Sequence, residues 1–182
     1  IEPRDFLSAE DYTRLEVEIV YVEGFAPNED ALVSLETFLT ERTNKPDGIS
    51  LYTKEIKEPA NFTYSVSDIE QIEEKERSKN SSKEEGILTA FIFYADKEYS
   101  ENSGNGKTLG VHYAPTSMAL FKSTIDEFSG GLTQPSTYKL ETTVLMHEFA
   151  HAFGLVNHGT PMVQDHEDPN HRGHCDNDNC LM

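Results

Sequence analysis

Ile87-Leu88-Thr89-Ala90-Phe91-Ile92-Phe93-Tyr94-Ala95 is the longest apolar run of the chain. It is rich in β-branched and aromatic residues and shorter than a typical helix, so it reads as a strand. A strand that is apolar at every position, rather than at alternate ones, is covered on both faces. That is the habit of a central strand in a parallel sheet with helices on either side. The reading sets the class as α/β.

On the N-terminal side, residues 1–13 read as an arm. From Leu15, Leu-Glu-Val-Glu-Ile-Val-Tyr-Val alternates with period two, a strand with one buried face. Asn28 is placed to cap a helix whose first turn carries Glu29 and Asp30. Ala31, Leu32, Leu35, Phe38 and Leu39 give that helix one apolar stripe. A second strand is expected over Ile49–Ile56. Residues 67–85 read as a helical insertion: Ser67 to Glu70 form a capping box, and the helix to about Lys79 carries only Ile69 and Ile72 as a thin stripe. The expectation is a solvated surface helix followed by a mobile polar stretch.

On the C-terminal side, Ser103-Gly104-Asn105-Gly106 is a turn signal. Thr108–Ala114 and Met118–Thr124 read as two short strands around Pro115. A long helix capped by Ser136 runs to about Phe153, and Gly154 stops it. Residues 155–182 form an irregular tail. The order is strand, helix, strand, insertion, three strands, helix and tail, in one domain over residues 1–182.

The composition narrows the function. Fifteen Lys and Arg against 33 Asp and Glu leave a net charge of −18. Phosphate backbones and anionic bilayers are recognised by clustered Lys and Arg, so nucleic acid and membrane surfaces are disfavoured as partners. The run at Ile87–Ala95 is half the ~18–20 residues of a membrane span, so no transmembrane segment is expected. The chain starts at Ile1 rather than Met, which reads as a mature or trimmed form. Six of the seven histidines and both cysteines fall at or after His147, which concentrates metal-binding side chains in one region.

His147-Glu148-Phe149-Ala150-His151 lies inside the last helix. Residues four apart are ~40° apart around a helix axis and ~6 Å along it, so both imidazoles leave one face and can hold one Zn2+. Glu148, turned ~100° from His147, lies near the metal without being a ligand. It can take a proton from the zinc-activated water and deliver it to a leaving amine. Four histidines, His158, His166, His171 and His174, are candidates for the third ligand.

His147 to Gly154 reads H-E-x-x-H-x-x-G and so resembles the metzincin metallopeptidases. In that family a third His follows the glycine by three residues; here that position is Asn157, and His158 is displaced by one. The end of the chain, His174-Cys175-x-x-x-x-Cys180-Leu181-Met182, resembles the archaemetzincin branch, which carries H-C-x-x-x-x-C-x-M directly after its glycine. Here residues 158–173 separate the halves, as an inserted loop would. The resemblance implies His174 as third ligand, with His158 and His166 as alternatives, and Met182 in the Met-turn. It also implies a mostly parallel five-stranded sheet, two main helices and an antiparallel edge strand over Thr108–Ala114. Leu109, Gly110, Val111 and His112 on that edge would bind an extended peptide by strand addition.

The expected function is a zinc-dependent peptidase acting on peptide or protein substrates, an endopeptidase in preference to an aminopeptidase, monomeric, with one Zn2+ per chain. The alternative from another class is a catalytically weak zinc-containing binding or adhesion module on the same fold; a zinc hydrolase of non-peptide amides is third. Cys175 and Cys180 are expected to close a disulfide loop, which places the chain in an extracellular, periplasmic or cell-surface setting. Asp165, Glu167, Asp168, Asp176 and Asp178 supply the hard oxygens that Ca2+ prefers, without an EF-hand spacing.

Overall fold

The computed structural model describes residues 1–104, 106–177 and 179–182. Asn105 of the expected turn and Asp178 of the acidic tail lie outside the described residues. Five strands form one sheet in the order β2-β1-β3-β5-β4. They are β1 (Arg14–Val22), β2 (Ile49–Ile56), β3 (Ile87–Ala95), β4 (Gly110–Ala114) and β5 (Ser117–Phe121). All neighbours run parallel except β4, which pairs antiparallel with β5 at the sheet's edge. The fold is the expected mostly parallel α/β sheet with an antiparallel edge strand.

β3 is central and buried from Leu88 to Ala95. Leu88, Ala90, Ile92 and Tyr94 face one layer, with Leu15, Val17 and Ile19 of β1. That layer holds α1 (Pro3–Leu7), α2 (Glu29–Arg42) and α5 (Thr137–Ala152), which bring Phe6, Leu35, Leu39, Leu145 and Phe149 to it. Phe91, Phe93 and Ala95 face the other side with Val20 and Val22, covered by α3 (Val66–Glu76). The unbroken apolar run thus has a cover on each face.

Two expectations change. The insertion helix α3 is not a solvated surface helix: Ile69 is fully buried in the second cluster with Tyr64 and Phe93. Two isoleucines suffice because the strands and Tyr64 supply the bulk of the apolar surface. The helix starts earlier, with Ser65 as cap and Asp68 completing the box. The segment after it is anchored: Arg77 donates to Glu73 and Thr89, and buried Glu18 accepts from the amides of Ser78 and Lys79. The second change is at Lys122, where the chain leaves β5 into a short helix, α4 (Lys122–Glu127), rather than continuing as a strand.

Polar contacts fix α5 in place. Glu141 is fully buried; its carboxylate accepts from the Asn28 amide at 2.8 Å and from the Tyr94 hydroxyl at 3.1 Å, and pairs with Lys122 at 3.2 Å. One side chain of α5 thereby joins the start of α2, the central strand and α4. The N-terminal arm docks at the far end. The Lys45 ammonium donates to the carbonyls of Asp5, Ser8 and Tyr12 at 2.6, 2.6 and 2.8 Å. Phe6 packs against Phe149 and Phe153. Among the described residues, the tail from Leu155 onward contains no helix or strand beyond one isolated bridge, Glu167 to Cys175. No helix is long and apolar enough to cross a membrane among the described residues.

Candidate metal centre

α5 begins at Ser136, whose hydroxyl accepts from the Lys139 amide at 3.2 Å. It stops at Gly154, which has φ +75°. A Cβ at Gly154 would also meet Pro3 Cγ at 2.8 Å and the Thr160 amide at 2.9 Å, so glycine is required on both counts. Leu145, Phe149 and Ala152 face the core. His147 and His151 leave the other side of the helix, towards β4 and the tail.

The tail returns to that side. Val156 and Asn157 both adopt left-handed backbone, φ 54° and 60°. For a β-branched valine this is a strained conformation, held here by burial of Val156 against Ala150 and Met182. Residues 166–168 then run beside 174–176: the Asp168 amide donates to the His174 carbonyl at 2.8 Å, and the Asp176 amide to His166 at 2.9 Å. Glu167 accepts from the Gly173 amide at 2.8 Å and closes the turn. This small hairpin delivers His174 to α5.

The ligand atoms of His147, His151 and His174 lie within 4.8 Å of one another, the one such group of His, Cys, Asp and Glu among the described residues. His147 Nε2 is 3.2 Å from Nε2 of His151 and 3.2 Å from Nε2 of His174. His147 Nδ1 is 2.8 Å from the Leu181 carbonyl and His174 Nδ1 is 3.2 Å from the Arg172 carbonyl. A carbonyl only accepts, so each Nδ1 carries the proton and each Nε2 presents a bare lone pair. Two lone pairs 3.2 Å apart repel unless a cation lies between them. Four-coordinate Zn2+ with nitrogens at ~2.0–2.1 Å separates them by about 3.3 Å, so the donor set fits the ion. Burial holds His147 below the usual imidazole range, and burial with the neighbouring rings lowers His151 to about 3. Both rings are therefore neutral, the form a metal takes.

Glu148 is 4% exposed, and its carboxylate lies against Gly110 of β4 while bordering the same cavity as the three imidazoles. Burial pushes its carboxyl up to about 8. Val111 and Tyr113 face the α3 side, where the Tyr113 hydroxyl donates to Glu73 at 2.7 Å. Gly110 and His112 face α5. A cavity of about 270 Å³ opens between Leu109, Gly110, Leu140, Thr143, Val144, His147 and Glu148. A neighbouring one of about 210 Å³ is bordered by Gly110, Val111, His112, Glu148, His158 and the three clustered imidazoles. The cleft ends at Tyr113–Pro115, where Ile1, Glu2 and Pro3 of the arm form its wall.

The other expected residues are placed as follows. Met182 is buried against Ala150 and Val156, and its carbonyl accepts from the Cys175 amide at 2.9 Å. His158 is exposed; its ring centroid is 5.7 Å from that of His151, whereas the three clustered rings are 4.7–5.1 Å apart. His166 and His171 stand outside the group, His171 paired with Asp168 at the surface. Cys175 and Cys180 stand next to each other, their sulfurs unbonded in this structure. Glu167 and Asp168 brace the tail hairpin, and no acidic group among the described residues converges as a Ca2+ site. The carbonyls of Leu181 and Arg172 and the arm at Ile1–Pro3 were not legible, because backbone acceptors and docked arms leave no side-chain signature. No protein-family profile, curated protein or solved structure matches the chain.

Proposed function

We propose that the chain is a zinc-dependent peptidase of the metzincin type, with His147, His151 and His174 as the metal ligands. The observation that carries this reading is the 3.2 Å approach of the unprotonated Nε2 atoms of His147 and His174, with Glu148 beside them on the same helix. Zinc held there supplies a Lewis acid for a carbonyl oxygen and makes water more acidic near neutral pH. The rest of the chemistry belongs to the chain. Glu148 lies within the cleft wall, next to the ligands but outside their set. Burial alone raises this carboxyl to about 8, and the charge of a bound cation beside it would bring it back to the ionised form. That carboxylate would take a proton from the attacking water and deliver it to the departing amine. Its burial excludes bulk water from that transfer.

Substrate is held by β4. This strand is last in the sheet order, so its outer N–H and C=O groups are free to pair with an extended peptide. Side chains of such a peptide would enter the cavities at Leu109–Glu148 and at Tyr113–Pro115. A resident structural metal has no need of a buried carboxylate next to its ligands, which is why catalysis is preferred over a binding module. The test is elemental analysis of purified protein together with hydrolysis of an unstructured polypeptide. About one zinc per chain, activity lost to a chelator and restored by zinc, is the expected result; hydrolysis that survives removal of all metal overturns the proposal.

A further inference from the structure

β4 is last in the sheet order, so one of its edges has no strand beside it. It is held instead from its two faces. At Gly110 it rests on α5. At Tyr113 it is tied to the back of the sheet: the hydroxyl donates to Glu73 Oε2 of α3 at 2.7 Å, and the ring packs into the α3-side apolar layer. Glu73 is itself fixed. Its Oε1 accepts from Ser117 of β5 at 2.7 Å and from Arg77 at 2.5 Å, and Arg77 donates onward to Thr89 of β3 at 2.9 Å. The Arg77 and Glu73 side chains are 17% and 15% exposed, so solvent screens this network little. Burial and the Glu73 charge push the Tyr113 hydroxyl far above the usual phenol range, so it keeps its proton and remains a donor.

Tyr113 is also the residue at which the ladder slips. His112 pairs with Met118 and Ala114 with Ser117, so Tyr113 has no residue opposite it on β5. An extra residue bends its strand and re-aims the groups around it. Cross-strand pairing does not set the direction of the chain at this point; the anchored Tyr113 side chain does. The bulge lies where β4 passes the clustered imidazoles, with the His112 ring 6.3 Å from that of His151. Beyond it, Tyr113, Ala114 and Pro115 line a cavity of about 300 Å³ whose other wall is Ile1–Pro3.

We infer that Tyr113 is a positioning residue for substrate: its bond to Glu73 holds the β4 bulge in the shape that an extended peptide pairs with. This rests on the reading of the chain as a peptidase that takes its substrate on β4. Without that bond, the strand past His112 retains one ladder pair, Ala114 with Ser117, and interchanges among several bends. A peptide then binds only the fraction of molecules with the fitting bend, and its apparent affinity falls by that fraction. The chemistry at Glu148 is untouched, because Glu148 meets the strand at Gly110, on the other face. The insertion carrying α3 thus serves a cleft on the opposite side of the sheet.

The experiment compares zinc-loaded parent, Tyr113→Phe and Ser117→Ala. Tyr113→Phe removes the donor on β4 and keeps the ring; Ser117→Ala removes a donor to the same carboxylate from the interior strand β5. Quenched fluorescent peptides are built around a bond that the parent cleaves, one spanning the cleft and others shortened from either end. For Tyr113→Phe the expected result is KM raised about tenfold on the full-length peptide with kcat unchanged, the size of one hydrogen bond to a charged group. On peptides shortened from one of the two ends, the end that reaches Tyr113–Pro115, parent and variant should agree. Ser117→Ala should keep the parent KM on every peptide. A KM within about twofold of the parent on the full-length peptide overturns the inference. So does an equal rise on all peptides, or a comparable rise in Ser117→Ala, since either is a general loosening of the fold rather than a misplaced strand. If circular dichroism shows Tyr113→Phe unfolded, Glu73→Gln, which trades the charged acceptor for a neutral one, is read in its place by the same criteria. Failure of the parent to cleave any peptide would instead overturn the peptidase reading, and this inference with it.

Discussion

Gly110 and Glu148 meet so closely that no side chain fits between them: a Cβ on Gly110 would lie 2.4 Å from Glu148 Oε1 and 2.8 Å from Val144 Cγ1. The edge strand therefore sets the rotamer of the carboxylate. Gly110→Ala should move Glu148 out of line while leaving the three histidines untouched. Zinc content should stay at the parent level, hydrolysis should fall at least tenfold, and stability should drop by about 1–3 kcal/mol through overpacking. A Gly110→Ala protein with full activity would show that the position of Glu148 is not set by β4.

Glu148→Gln should retain the metal and lose the proton carrier. The expected loss in turnover is about 10²–10⁴-fold, with little change in KM, because a general base acts on the barrier rather than on binding. Single-substrate kinetics on zinc-loaded parent and variant make the comparison.

His174→Ala should weaken zinc binding as severely as His151→Ala. His158→Ala and His171→Ala should leave it nearly unchanged, since His158 is exposed outside the close group and His171 is tied to Asp168. Zinc that survives in His174→Ala but not in His158→Ala would move the third ligand to His158.

Lys45→Met should loosen the arm. It removes the donor to three carbonyls and with it the attachment that keeps Phe6 against Phe149 and Phe153. A loss of about 2–3 kcal/mol is expected for an interaction of this kind. That corresponds to a fall in Tm of about 5–10 °C at this chain length. Melting curves of parent and variant, both metal-free, give the answer.

Periodicity carried the reading furthest where one element buries its own pattern. β3 and α5 were legible because an unbroken apolar run and a capped helix bounded by Ser136 and Gly154 each have one structural solution. The antiparallel edge strand came from resemblance, and its place over Glu148 depends on Gly110, whose lack of a side chain is a weak signal by itself. α3 was misread because its burial depends on Phe91 and Phe93, far from it in sequence, together with Tyr64 just before its cap. α4 was misread because a six-residue helix holds too few apolar positions to set a period. The histidines at 147 and 151 follow from helix geometry. That His174 reaches them depends on the hairpin at 166–176 and on the left-handed pair Val156–Asn157, which no local pattern announces.

The tail owes its shape to scattered backbone hydrogen bonds rather than to a helix or strand, yet it supplies one of the three imidazoles. An ion shared by His151 and His174 would act as a cross-link closing a loop of about twenty residues, comparable in its effect on the unfolded chain to a disulfide worth ~3 kcal/mol. Ion capture and ordering of the tail would then be one event, and a protease added to the metal-free protein would find its first cleavage sites beyond Gly154.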